Sequence, residues 1–252
     1  MSAEQPHRPL VVAHRGSSGA APENTMAAFR MAAEAGADMI EFDVRMTRDG
    51  ELVVHHDRRL GRTSDGKGRV RALSAEKVRA ADAGLWYARR FRGERIPFLG
   101  EVLASVPRRV GLDIEVKTDG DRRRAGAMAR ALGRALHRAR RREGVVVTSF
   151  DHGFLRRLHR LDPAIRLGVL YFPVRDRFRS AGAIARRSGA SMFICSRRQL
   201  RRRHLREAHR AGMTVAVYGV NTADDAAAAA RAGVDIVITD HPGRILRAFS
   251  NS

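Results

Sequence analysis

Short apolar runs recur along the chain and predict buried β-strands. Each run is rich in apolar β-forming residues and is followed by a longer segment of different periodicity. The predicted strands cover residues 10–14, 38–44, 110–116, 144–149, 165–170, 191–195, 213–218 and 234–239.

The segments between the strands carry apolar residues at helical spacing, with Ala and Arg between them. They predict helices over residues 24–35, 120–142, 151–160, 178–188, 199–211 and 222–232. Several helices end at a glycine that allows the left-handed C-terminal cap: Gly36, Gly189, Gly212 and Gly233. This alternation predicts an α/β fold, a (β/α)8 TIM-type barrel, with a doubly wound open sheet as the alternative.

One long segment, residues 45–109, interrupts the alternation of strands and helices after the second strand. It contains a short strand-like run, ELVVHHD, a turn-rich stretch, LGRTSDGKGRV, and a helix predicted to begin at Ser74, whose hydroxyl suits an N-cap. Long insertions of this kind are usually functional or form small subdomains. We therefore predict one barrel domain over residues 10–247 with this insertion, and flexible termini at 1–9 and 248–252.

The formal net charge is +21, and all but three of the 48 basic residues are arginine. Most of these arginines alternate with apolar residues at helical spacing, as on the solvent-facing sides of amphipathic helices. A nucleic-acid-binding protein built on an inactive barrel is the alternative. Aromatic residues make up only 6% of the chain and do not interleave with the arginines, so we expect no specific nucleic-acid partner. Peripheral contact with an anionic membrane and the oligomeric state stay open.

The cysteine content and the hydropathy of the chain indicate the cellular compartment of the protein. Cys195 is the single cysteine, which excludes an intrachain disulfide and a Cys-based metal site. The first ten residues lack the apolar core of a signal peptide, and no run reaches the roughly 18 apolar residues of a membrane span. These features predict a cytoplasmic protein without a transmembrane segment.

Titratable side chains cluster at the carboxyl ends of the first three predicted barrel strands. They are His14, Arg15, Glu41, Asp43, Glu115 and Lys117. In a parallel barrel these strand ends form the mouth, where active sites lie. Glu41 and Asp43 are two residues apart and therefore face the same side. Three converging carboxylates repel each other unless a cation lies between them, and their oxygen atoms suit Mg²⁺ or Ca²⁺.

The remaining groups of this cluster fit an anionic substrate. Arg15 and Lys117 suit a phosphate group, although Lys117 could instead simply neutralise Glu115. His14 and His56 titrate near neutral pH and could act as general base and general acid, with His55 as a surface neighbour. Metal, phosphate-binding cations and an acid–base pair together indicate phosphodiester cleavage.

A series of motifs in fixed order carries a resemblance to a known family: AHRG, APENT, EFDVRMTRDGELVVHHD, IPFLGEVL, LDIEVK and ITDHP. Over residues 10–247 the chain resembles the glycerophosphodiester phosphodiesterase (GDPD) family. The resemblance implies a TIM-type barrel with a small GDPD insertion after the second strand. It also implies metal-dependent hydrolysis of a glycerophosphodiester to glycerol 3-phosphate and an alcohol.

The resemblance further implies a role for each matching position. These positions are Glu41, Asp43 and Glu115 for the metal, His14 and His56 for the acid–base pair, Arg15 and Lys117 for the substrate phosphate, and Asn24, Tyr218 and Asn221 for support of the site. The chain departs from the common family pattern at Phe98, Gly100 and Tyr218. We expect these departures at the rim of the pocket, where they would affect the choice of alcohol.

Other lipid-directed reactions remain as alternatives on a similar barrel. A lysophospholipase D-like activity on lysophospholipids or sphingolipids would need an apolar approach to the site, as would a phosphatidylinositol-specific phospholipase C. The apolar residues of the insertion that could form one are Leu85, Trp86, Tyr87, Phe91 and Phe98. We interpret them as core packing of the insertion.

Overall fold

The computed structural model of the chain describes residues 8–176 and 179–250. Its strands are β1 (Leu10–His14), β2 (Met39–Met46), β3 (Leu52–Val54), β4 (Arg59–Leu60), β5 (Gly68–Arg69), β6 (Gly111–Val116), β7 (Val145–Ser149), β8 (Arg166–Leu170), β9 (Met192–Ser196), β10 (Thr214–Tyr218) and β11 (Ile236–Thr239). Its α-helices are α1 (Met26–Glu34), α2 (Ala75–Ala80), α3 (Leu99–Ser105), α4 (Arg122–Arg138), α5 (His152–Leu161), α6 (Pro173–Asp176), α7 (Ala181–Ser188), α8 (Arg202–Arg210), α9 (Ala223–Ala232) and α10 (Pro242–Ser250).

Parallel pairing closes the sheet into a barrel. The order runs β1-β11-β10-β9-β8-β7-β6-β2, and β1 also pairs with β2, so no edge is left between the first and last strands of the ring. Helices connect the successive strands from β6 onward. The structure confirms the predicted (β/α)8 barrel and excludes the open sheet.

The predicted strands and helices largely agree with the observed ones. The longest helix is observed as Arg122–Arg138, shorter at both ends than the predicted 120–142. The predicted helix 178–188 is observed over Ala181–Ser188, and residue 178 lies outside the described residues. Helices α3, α6 and α10 were absent from the sequence prediction. The helix expected after Ser74 begins there, and the Ser74 side chain accepts a hydrogen bond from the Lys77 amide.

The insertion begins where the second barrel strand continues beyond the end of the first. Strand β1 ends at His14, opposite Glu41, whereas β2 continues to Met46. Strand β3 takes up the edge that β1 leaves free and pairs with β2 in the antiparallel sense, with Val54 opposite Val44. The chain therefore returns toward the mouth of the barrel directly after β3.

The core has two layers, because alternate side chains along each barrel strand point outward and inward. Outward-facing residues such as Phe42 and Ile114 pack against the surrounding helices, where Phe29 and Phe154 are also fully buried. Inward-facing residues fill the barrel below its mouth: Val12, Met39, Val146, Leu170, Met192, Ile194, Ala216, Ile236 and Ile238. The insertion adds a small apolar cluster of its own around Val53, Val78 and Ile96. Polar groups at the mouth thus lie above an apolar floor.

The expected flexible termini fall mostly outside the described residues, which exclude 1–7 and 251–252. Within the described part, Arg8 forms an ion pair with Asp38 at 2.6 Å, and α10 continues to Ser250. Among the helices of the described ranges, none combines the length and the apolar character needed to cross a bilayer.

Candidate active site

Strands β1, β2 and β6 bring three carboxyl groups together at the mouth of the barrel. The strand register places Asp43 opposite Glu115, and Glu41 opposite His14. One carboxylate oxygen from each of Glu41, Asp43 and Glu115 lies within 4.8 Å of the others. These three side chains, together called the acidic triad below, belong to residues that are at most 9% exposed. The structure therefore brings together the residues that the sequence suggested as metal ligands.

Two cationic side chains contact the acidic triad. Lys117 Nζ lies 3.0 Å from Asp43 Oδ1 and donates a hydrogen bond to Glu115. Arg15 Nε lies 3.2 Å from Asp43 Oδ2. Burial opposes ionisation of Asp43, but the positive charges of Lys117 and Arg15 outweigh it and hold the pKa of Asp43 well below its usual range.

The other carboxyl groups of the mouth are less well compensated. Burial, reinforced by the charge of Asp43, raises the pKa of Glu41 well above its usual value. Burial also raises the pKa of Glu115, although Lys117 acts against it. One residue pair deeper, burial raises the pKa of Asp113 to about 7, and Thr148 Oγ1 donates a hydrogen bond to it at 2.7 Å. The mouth therefore holds more carboxyl groups than its own cations can keep ionised.

A strained loop fixes Arg15 next to the triad. Arg15 and Asn24 both adopt positive φ angles, 54° and 60°, which are uncommon for residues with a side chain. The Arg15 amide donates to Glu41 Oε2 at 2.9 Å, and the Asn24 amide donates to the Arg15 carbonyl at 3.0 Å. The Asn24 side chain bonds Asp43 twice, donating to Oδ2 at 2.9 Å and accepting from the Asp43 amide at 3.1 Å. These bonds hold the strained backbone in place.

His14 is oriented by an aspartate from the far end of the chain. His14 Nδ1 lies 2.7 Å from Asp240 Oδ1, and His14 Nε2 lies 3.9 Å from Glu41 Oε2. Asn221 donates to Asp240 Oδ2 at 2.7 Å, and Ser18 donates to Oδ1 at 3.1 Å. Although burial opposes its ionisation, the hydrogen bond with His14 keeps the pKa of Asp240 below its usual range. Sequence reasoning missed Asp240, although its position directly after the last barrel strand was a usable signal.

His56 reaches the same site from β3. The His55 amide donates to the Asp43 carbonyl at 2.9 Å, and His56 Nδ1 lies 2.7 Å from Asp57 Oδ1. Burial lowers the pKa of His56, although the charge of Asp43 acts against it. The interpretation of His55 as a surface neighbour was wrong. It is 3% exposed and its Nε2 lies 3.3 Å from the Arg59 carbonyl, because neighbouring side chains of an extended segment point to opposite sides.

Arg62 of the insertion joins the loops that carry Arg15 and His56. Its guanidinium donates to Asp57 Oδ2 at 2.7 Å and to both carboxylate oxygens of Glu23, at 2.7 and 2.9 Å. Glu23 in turn accepts from Arg15 Nη1 at 2.8 Å. No sequence signal pointed to Arg62, because the ion pairs depend on how the insertion folds over the barrel.

A cavity of about 210 Å³ lies at the centre of these groups, and we call it the active-site cavity. Its lining residues are His14, Arg15, Glu41, His56, Asp113, Glu115, Lys117, Thr148, Phe150, Leu170, Ile194, Tyr218 and Ile238. Both candidate acid–base histidines and Tyr218 therefore face the same space. Asn24 and Asn221 contact the site from behind, through Asp43 and Asp240.

Two expectations were wrong, one about the rim of the pocket and one about the packing of the insertion. Phe98 and Gly100 do not line the active-site cavity, since Phe98 bridges to Val53 and lies 5.3 Å from the Arg79 guanidinium. The apolar residues of the insertion are not simply core either. Leu85 and Trp86 are 38% and 41% exposed, since a short insertion has too small a core to cover them.

Replacing Asp240 tests how His14 is held. We expect Asp240→Asn to lower the rate of phosphodiester hydrolysis about 10²-fold or more, because the imidazole loses the partner that fixes its tautomer and direction. Measuring kcat/KM for the variant and the wild type at the same pH checks this. Asp235→Asn is the matched control, because Asp235 forms a 2.9 Å pair with His209 away from the mouth. Equal rates in the two variants would contradict the assignment.

The buried Asp113 makes stability depend on pH in metal-free protein. Its folded pKa, about 7, lies above the ordinary value of 3.8, so its stabilising contribution is fully present below pH 3.8 and is lost as the pH rises to 7. Asp113→Asn should therefore exceed the unfolding free energy of the wild type by a margin that is larger at pH near 8 than at pH near 5, growing by about 1.4 kcal/mol for each pH unit up to 7. Urea unfolding in EDTA measures this. The exposed Asp224→Asn change should show no such pH-dependent gain. A constant difference between Asp113→Asn and wild type at both pH values would refute the expectation.

Comparison with known proteins places this site in a family. A model of the glycerophosphoryl diester phosphodiesterase family matches residues 14–244. YhdW of Bacillus subtilis (strain 168), named provisionally as a glycerophosphodiester phosphodiesterase, is 36% identical over 237 residues, which cover 94% of this chain and 96% of YhdW. A glycerophosphodiester phosphodiesterase of Caldanaerobacter subterraneus is 41% identical over 163 residues, which cover 64% of this chain and 66% of that protein.

Solved structures show the same likeness over almost the full length. An Oleispira antarctica phosphodiesterase in complex with its product sn-glycerol-3-phosphate is 27% identical, with a TM-score of 0.89 over 96% of this chain and 97% of that one. The structure of a protein from Silicibacter pomeroyi that is named provisionally as a glycerophosphoryl diester phosphodiesterase is 28% identical, also with a TM-score of 0.89, over 98% of this chain and 95% of that one. This chain therefore belongs to the glycerophosphoryl diester phosphodiesterase family and is a phosphoric diester hydrolase.

Proposed function

We propose that the protein hydrolyses glycerophosphodiesters to glycerol 3-phosphate and an alcohol, using a divalent metal and a pair of histidines. The observation that carries the proposal is that His14 and His56 line the same cavity as Arg15, Lys117 and two members of the acidic triad, Glu41 and Glu115. The product found in the Oleispira antarctica phosphodiesterase, sn-glycerol-3-phosphate, supports the same substrate class.

The residues of the acidic triad fit a hard divalent cation. Their donors are carboxylate oxygens, and the buried Asp43 Oδ1 accepts no well-aligned hydrogen bond from the described residues, although Lys117 Nζ lies 3.0 Å away. Glu41, Asp43 and Glu115 would hold Mg²⁺ or Ca²⁺. When bound, the ion would polarise a phosphoryl oxygen and compensate the surplus negative charge of the triad.

Arg15 and Lys117 would bind the phosphate of the substrate. Arg15 Nε is buried and lies 3.2 Å from Asp43 Oδ2, but it forms no well-aligned hydrogen bond with the described residues, so its N–H is left to donate to a phosphoryl oxygen. Lys117 lies against Asp43 and Glu115 and extends into the active-site cavity. Charge developing on the phosphoryl oxygens in the transition state would meet these fixed donors.

The histidine contacts support distinct roles. Each Nδ1 contacts an aspartate, Asp240 for His14 and Asp57 for His56, so each Nε2 is left for the substrate. The lowered pKa of His56 favours the neutral imidazole, which can accept the proton of the nucleophile. His14 would then donate a proton to the departing alkoxide oxygen. Water and the 2-hydroxyl of the glycerol can each serve as nucleophile, and trapping of a cyclic phosphate would identify the second.

The alternative functions lack such support. The apolar residues of the insertion that would guide an acyl chain do not line the active-site cavity. An inactive nucleic-acid-binding barrel would be expected to have lost part of its catalytic set, whereas every residue of the predicted set lines the cavity, contacts a lining residue or, for Asn221, reaches His14 through Asp240.

Hydrolysis of glycerophosphocholine tests the proposal. We expect activity with Mg²⁺ or Ca²⁺ that EDTA abolishes, and a loss of about 10²–10⁴-fold in kcat for His14→Ala and for His56→Ala. Release of glycerol 3-phosphate provides the readout. His137→Ala, an exposed histidine of α4, is the matched control and should keep full activity. Full activity in EDTA, or in either active-site variant, would show the proposal to be wrong.

A further inference from the structure

A second and larger cavity opens beside the active-site cavity, and arginine is the most frequent residue in its lining. It encloses about 1110 Å³ and shares three lining residues with the active-site cavity, namely Glu115, Lys117 and Phe150. From there it follows α5 toward the end of α7. We call it the arginine groove, and its arginines are Arg45, Arg58, Arg122, Arg156, Arg157, Arg160, Arg175, Arg186 and Arg187.

The acidic residues of the arginine groove already have partners. Asp119 accepts a hydrogen bond from Arg45 at 2.6 Å and lies 3.1 Å from the Arg58 guanidinium. Asp151 accepts from Thr118 Oγ1 at 2.7 Å and from two backbone amides at the start of α5. Asp119 is therefore paired with Arg45 and Arg58, and Asp151, whose hydrogen bonds come from neutral donors, forms no ion pair with the described arginines of the helices.

Six arginines of the groove form no ion pair within the described part of the chain. They are Arg122, Arg156, Arg157, Arg160, Arg186 and Arg187. Like charges around one concave surface repel each other and raise the local positive potential, and an entering anion relieves both effects. Guanidinium groups bind phosphate oxygens in a bidentate manner, which makes phosphate a well-matched anion.

The high arginine content alone does not explain this arrangement. A second basic groove on α4, of about 470 Å³, is lined by Arg130, Arg134, Arg138 and Arg142. There Arg142 forms an ion pair with Asp162 at 2.8 Å, and none of its lining residues belongs to the active-site cavity. The arginine groove differs in that it is continuous with the candidate catalytic groups.

We propose that the arginine groove binds a second phosphate group carried by the alcohol portion of the substrate, so that the enzyme prefers diesters of phosphorylated alcohols. The proposal rests on the proposed hydrolysis of glycerophosphodiesters. With the scissile phosphate at Arg15 and Lys117, an alcohol that passes Phe150 enters the groove between the first turns of α4 and α5. Arg122 is the first residue of α4, and Arg156 Nη2 lies toward the start of α5, 4.0 Å from the point where a β-carbon on Gly153 would be.

Glycerophosphoinositol and glycerophosphoinositol 4-phosphate provide a matched pair of substrates, since they differ by one phosphate. At about 0.15 M salt, where long-range attraction is screened, we expect wild-type kcat/KM to be about tenfold or more higher for the phosphorylated substrate, mainly through KM. Arg122→Gln with Arg156→Gln should remove this preference and leave kcat for glycerophosphoinositol unchanged. Arg130→Gln with Arg134→Gln removes the same charge from the second groove and should keep the preference.

Binding of inorganic tripolyphosphate, measured by calorimetry, separates this proposal from the proposed function. The groove variant should bind it about tenfold or more weakly than the wild type and the control variant. Groove-dependent binding without hydrolysis of either substrate would refute the proposed function and leave the groove as an anion site. No substrate preference in an active wild type, or equal losses in the two double variants, would overturn the groove proposal.

Discussion

The burial of several carboxyl groups at the mouth of one barrel is the constraint on which the rest of this structure depends. Glu41, Asp43 and Glu115 converge within 4.8 Å, and Asp113 lies just below them. Buried carboxylates are costly unless they are paired and hydrogen-bonded. Lys117 and Arg15 compensate Asp43 fully, and the raised pKa values of Glu41 and Glu115 show that the compensation stops there. A site with this charge pattern is prepared for an additional cation.

The same constraint explains why distant parts of the chain meet here. Because β1 stops at His14 while β2 continues, β3 can add to the free edge and bring His56 to the cavity that His14 also lines. Both histidines then contact aspartates, one from the insertion and one from the end of the last barrel strand. The positive φ angle of Arg15 directs its amide at Glu41, so local backbone strain also serves the triad.

The functional residues at the strand ends could be predicted from the sequence, because the topology of a parallel barrel brings the carboxyl ends of its strands together at one mouth. The i, i+2 spacing of Glu41 and Asp43 placed both on the inner face, and the alternation of strands and helices predicted closure. Contacts that depend on loop conformation could not be predicted from the sequence. The ion pairs of Arg62, the burial of His55 and the exposure of Trp86 depend on how the insertion folds over the barrel. The periodicity of the sequence does not predict that conformation.

Direct titration of metal-free protein with Mg²⁺ or Ca²⁺ tests the central claim about the acidic triad. In two buffers of different ionisation enthalpy, calorimetry should show saturable binding of one ion per chain, with a release of protons that increases as the pH is lowered, since the pKa values of Glu41 and Glu115 are raised in the metal-free protein. Asp43→Asn should abolish this binding and Asp224→Asn should not. Absence of binding in the wild type, or equal affinity in Asp43→Asn, would contradict the account.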